Sequence, residues 1–139
     1  MTSHERPEPQ TPMTWAEKLE KYSVLTDTLG GYADEMVALL SAHGEENWTQ
    51  VYARFGRSIR AANTDRARQK AIDDINSIYG GMGSWNDFYL TALGEAEAQR
   101  TSLSHAIQST CESLSRLIEQ APREPRRGLL DRLAAFFLR

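Results

Sequence analysis

The chain has 139 residues, of which 40% are hydrophobic and 25% charged, with a net charge of −3. These values suit one domain with a real core and exclude wholesale disorder. The single cysteine, Cys111, excludes an intramolecular disulfide, and no apolar run approaches the roughly 18–20 residues that span a bilayer.

The N-terminus carries Glu5, Glu8 and three prolines in its first twelve residues, without the basic and apolar regions of a secretory signal. A cytoplasmic location is therefore expected. The charge is blocked: residues 1–53 carry −6, residues 54–70 +5, residues 71–121 −5 and residues 122–139 +3. Such blocks either attract one another within the fold or leave a basic face for an acidic partner.

In chain order, residues 1–13 read as a polar, proline-rich leader. Thr14 followed by Glu17 forms a capping-box pattern that opens a helix. Trp15, Leu19, Tyr22, Leu25 and Leu29 follow at helical spacing. Gly30 and Gly31 predict a break or bend, because each glycine costs about 1 kcal/mol in a helix interior. A second segment with Met36, Val37, Leu39 and Leu40 ends at His43 and Gly44, where glycine suits the left-handed position beyond a helix.

The next helix, about residues 46–61, gathers Trp48, Val51, Tyr52, Phe55 and Ile59 on one side. Arg54, Arg57 and Arg60 fall on the opposite side, predicting an aromatic core face and an arginine stripe toward solvent. Arg66, Arg68 and Lys70 continue the basic block. Thr64 or Asp65 caps a helix over about 66–79 that buries Ala71, Ile72, Ile75, Ile78 and Tyr79. Gly80-Gly81-Met82-Gly83-Ser84-Trp85-Asn86-Asp87 stops that helix, and Phe88, Tyr89 and Leu90 fit either a helical turn or an extended stretch. A long helix over about 95–120 carries Leu103, Ile107, Cys111, Leu114, Leu117 and Ile118. Residues 122–127 read as a basic, proline-containing linker.

Residues 128–139, GLLDRLAAFFLR, read as an appended amphipathic helix. Leu129, Leu130, Leu133, Ala134, Phe136 and Phe137 cover about half its circumference, with Asp131, Arg132 and Arg139 opposite. The expected fold is all-α: a compact bundle of four to five helices over residues 14–121, plus this helix.

The segment from His43 to Trp48, with Ile75 and the run from Ile78 through Gly80-Gly81-Met82-Gly83-Ser84-Trp85-Asn86-Asp87, resembles a family of small uncharacterised bacterial domains. Their pattern is an HGExxW segment followed by a GGMGS box, an aromatic or aliphatic residue, and Asn-Asp. The resemblance spans roughly residues 30–118. It implies a bacterial, helical domain, singles out Trp48 and the glycine loop, and supplies no activity.

Chemistry-bearing patterns are few. The glycine loop lacks the Lys-Ser/Thr of a P-loop and follows no strand, and Asp87 would compete for its N–H groups, so a tight turn or a partner-contact loop is favoured over a phosphate site. His43, Glu45, Glu46 and His105 do not form a metal spacing. Cys111 falls at a core position, and the serines of the long helix sit on no nucleophile elbow. No catalytic, metal or cofactor residue is assigned, and the chain reads as a non-enzyme.

The candidate contacts are therefore partner contacts: Arg54, Arg57 and Arg60; Met82, Ser84, Trp85, Asn86 and Asp87; and Leu130, Leu133, Phe136 and Phe137. The expected function is protein interaction, of the immunity or antitoxin kind against a toxin, or self-association. The alternative is an adaptor at a membrane surface, reached through residues 123–139, or on nucleic acid. The acidic pI of about 5.6 and inward-facing aromatics argue against nucleic acid.

Overall fold

The computed structural model describes residues 11–79, 84, 85, 88 and 94–125. Four helices account for about four-fifths of them: α1 (Trp15–Ala42), α2 (Glu46–Ala61), α3 (Asp65–Asn76) and α4 (Glu95–Glu119), with no strand among the described residues. α1 packs on α2 and α4, and α3 closes the ring by touching α2 and α4. The fold is an all-α bundle. The first ten residues of the leader, the loop contacts Met82, Asn86 and Asp87, and the expected C-terminal helix with Leu130, Leu133, Phe136 and Phe137 lie outside the described residues.

Local signals set three of the helix ends. Thr14 Oγ1 accepts from Glu17 N–H at 3.1 Å and donates to the Glu17 carboxylate. Gly44 takes φ 72°, and the N–H groups of Gly44 and Glu45 return to the carbonyls of Ser41 and Leu40. That is a Schellman closure, which satisfies carbonyls left over at the end of α1. Thr64 caps α3 by accepting from Ala67 N–H at 3.1 Å.

The predicted break at Gly30 and Gly31 does not occur. α1 runs through both as a single helix of 28 residues. Tertiary packing outweighs the glycine cost here, because Leu29, Ala33, Met36, Leu39 and Leu40 are all buried on one side of it. Gly30 marks a close approach instead. A Cβ there would lie 2.6 Å from Arg60 Nε, and a Cβ on Gly56 would lie 3.3 Å from that of Ala33. Gly31 points to open space. Gly31→Ala is therefore expected to raise stability by about 1 kcal/mol, the full propensity difference, in urea unfolding. Gly30→Ala should gain much less, because Arg60 must first swing aside.

Most of the core follows the predicted periodicity over α2, α3 and α4: Tyr52, Phe55 and Ile59, then Ala71, Ile72 and Ile75, then Leu103, Ile107, Cys111, Leu114, Leu117 and Ile118. Trp48, Val51, Ile78 and Tyr79 are only half-buried against it, the last two lying beyond the end of α3 at Asn76. Two expectations need correction. Leu19 is 42% exposed, whereas its neighbour Lys18 is 0% exposed. Arg68, read as part of the solvent-facing basic block, is buried, with its guanidinium 4.1 Å from the Tyr22 ring centre. The core accepts this planar cation because the Asp65 carboxylate pairs with it at 2.9 Å and the aromatic face lies beneath it.

Candidate functional site

The arginine stripe of α2 divides into two parts. Arg54 and Arg57 are exposed, and among the described residues neither makes an ion pair. Arg60 lies across the notch at Gly30 and grips Asp34 with two hydrogen bonds, of 3.0 and 2.6 Å. Those bonds hold the Asp34 carboxyl below the usual carboxylate range. Basic and acidic blocks thus meet at Arg60, while Arg54 and Arg57 stay outside that pairing among the described residues.

The glycine-loop region ends in an aromatic cluster. Trp85 N–H reaches the carbonyl of Ile78 at 2.9 Å, tying the loop back to the end of α3. Its ring then fills the space over α2, with centroids 5.0 Å from Trp48, 4.9 Å from Tyr52 and 5.2 Å from Phe88. Trp85 Nε1–H donates to Ser104 Oγ on α4 at 3.0 Å, and the Arg100 guanidinium stands 4.8 Å from the Trp85 ring. Arg100 is in turn held by Glu97.

Trp85 was expected as a surface contact. At 1% exposure it is instead a core residue, because a bulky ring with one donor finds both an apolar box and a hydroxyl acceptor here. Ser84 is half-buried, with its hydroxyl unpaired among the described residues.

The Tyr52 hydroxyl is buried near Tyr79 and Ser104 without a hydrogen bond of ordinary geometry, and burial first of all pushes its pKa well above the usual tyrosine value. Tyr22, beside Asp65, is raised for the same leading reason. An unfolded tyrosine loses its proton near pH 10, whereas these two keep theirs. The folded state then binds more protons, so stability falls as pH rises past about 10. Tyr52→Phe should leave stability at pH 7 unchanged or slightly higher, since no bond is lost, and should make the alkaline decline shallower by up to ~1.4 kcal/mol per pH unit. Urea titrations from pH 7 to 11 measure both effects.

Sequence reasoning missed the polar centre at the end of the bundle. Lys18 Nζ donates to the carbonyls of Ile118, Gln120 and Pro122 at 3.2, 2.5 and 2.8 Å. Its charge thereby sits at the negative end of the α4 dipole, flanked by the rings of Trp15 and Tyr22. Burial lowers its pKa, opposed by the nearby Asp65 carboxylate. Glu124 accepts from Asp65 N–H at 2.9 Å, adding a carboxylate at the N-terminus of α3. One signal was available: residues 15, 18, 22, 25 and 29 keep strict three-four spacing, so Lys18 stands on the apolar stripe.

Cys111 is buried in the core, and burial pushes its thiol up to about 12. A thiol reagent at pH 8 should leave it unlabelled in the native protein and label it fully in urea, since only the thiolate reacts. Among the described residues no three of His, Cys, Asp and Glu converge on a point that could hold a metal ion, and no helix is long and apolar enough to cross a membrane.

No curated protein and no solved structure matches the chain. The stretch from the end of α1 to the first turn of α4 contains Arg54, Arg57 and all four rings of the aromatic cluster. This stretch, residues 41–97, matches a family model described as a domain of unknown function (DUF6966), an uncharacterised domain family.

Proposed function

We propose that this chain is a small bacterial, cytoplasmic protein-interaction domain that docks on a partner protein, in the manner of an immunity or antitoxin-like inhibitor, and binds rather than catalyses. The observation that carries this reading is the exposed pair Arg54 and Arg57 on α2. They lie opposite a helix face that is locked into the core and make no ion pair among the described residues. Exposed, uncommitted guanidinium groups on a rigid helix suit an acidic protein surface, because each can make a bidentate carboxylate contact without first breaking an internal one. The toxin in this reading rests on analogy with other small bacterial domains.

Copurification from native lysate tests it. A companion protein retained by the wild type at low salt, and lost with the Arg54→Glu/Arg57→Glu variant, supports the reading. A clean monomer at every salt concentration overturns it. Salt-dependent binding to anionic vesicles or duplex DNA, in place of a protein, transfers the function to the adaptor alternative.

A further inference from the structure

Between α1 and α4, on the flank away from α2 and α3, lies an open groove of about 580 Å³ lined by Glu20, Lys21, Val24, Leu25, Arg116 and Leu117, among others. Val24 is 65% exposed in its wall, the most exposed of the large hydrophobic residues described. We propose that this groove is the seat of the chain's own residues 128–139, docked in cis by their apolar face.

Three observations select that occupant. The first is the tether. Lys18 holds the carbonyls of Gln120 and Pro122, and Gln120 itself lines the groove. Lys18 is one helical turn from Lys21 in the opposite wall. The chain is held beside the groove by Pro122 and again at Glu124, which accepts from Asp65 N–H at the N-terminus of α3, and residues 125–128 then add a reach of up to ~13 Å. A segment on so short a link faces the groove at about millimolar effective concentration, which a second copy or a separate partner does not match at ordinary protein levels.

The second observation is fit. At 1.5 Å per residue, Leu130 to Phe137 spans about 10 Å of a helix, and so does the α4 wall from Ser113 to Gln120. The third is need. A twelve-residue helix is marginal alone in water, so the apolar half of residues 128–139 requires a surface. The rim carries both signs, in Glu20, Lys21 and Arg116, as the polar side of the segment does in Asp131 and Arg132.

Hydrogen exchange on the full chain, read by mass spectrometry over residues 128–139, tests the proposal. In the wild type these amides should be protected, and diluting the protein should not change that. Val24→Glu and Leu133→Glu should each speed their exchange by about tenfold or more, while the amides of α2 stay unchanged. Leu19→Glu, a substitution at an exposed position outside the groove lining, is the control and should have no effect. Exchange at free-peptide rates in the wild type overturns the proposal. So does protection that survives Val24→Glu. Protection lost on dilution assigns the groove to a second copy and overturns docking in cis.

Discussion

Lys18→Met is expected to lower the free energy of unfolding by about 3 kcal/mol, measured by urea denaturation at pH 7. Methionine fills the same channel between Trp15 and Tyr22 but donates nothing. It abandons the carbonyls of Ile118, Gln120 and Pro122 together. A buried polar group left without its partner costs about 1–3 kcal/mol, and water can reach some of a helix end, so the total falls below three full penalties. The lysine also bears a burial cost of its own, visible as its lowered pKa. That cost fixes the sign of a second effect. Between the lowered folded value and 10.5 the unfolded chain binds more protons, so the wild type gains stability as pH rises through that window. The gap between wild type and Lys18→Met should therefore widen toward pH 10.5. A loss under ~1 kcal/mol would mean that water substitutes for the ammonium, and the polar centre would then be incidental.

The fate of Lys18 shows what sequence reading reaches here and what it does not. Features decided within a few residues were legible: the Thr14 and Thr64 caps, the Gly44 closure, the bounds of α2 and the buried stripe of α4. Each follows from spacing or from a side chain meeting its own backbone. What stayed hidden depends on elements distant in the chain. Lys18 occupies an apolar position because the end of α4, a hundred residues on, brings three carbonyls to it. Arg68 leaves the solvent face because Asp65 pairs with it there and Tyr22, forty-odd residues away, offers a ring. Gly30 is read as a break when only α1 is considered, and becomes a packing notch once Arg60 of α2 lies across it. The candidate site was half legible. Arg54 and Arg57 stand where the helical period puts them, whereas Arg60 is committed to Asp34 and Trp85 to the core. A lone sequence contains the residue types for these pairings but not the geometry that chooses among partners.

Trp85→Ala is expected to cost about 4 kcal/mol, because it empties a buried site whose walls are held by α2 and α4. Trp48, Tyr52 and Phe88 lose their common neighbour, Arg100 loses the face it stands over, and Ser104 loses its indole donor. Trp85→Phe separates these contributions, since it keeps a ring in the box and removes only the donor and part of the volume. It should cost about half as much. A double-mutant cycle with Ser104→Ala isolates the hydrogen bond, with a coupling of about 1 kcal/mol expected. The same variants decide what the ring is for. If Trp85→Phe retains any companion protein that the wild type holds, the aromatic cluster is the scaffold that fixes the loop to α2, and binding is left to the arginines. If Trp85→Phe stays folded but releases the companion, the loop itself is the contact surface, and its burial in the free chain must give way when the partner docks.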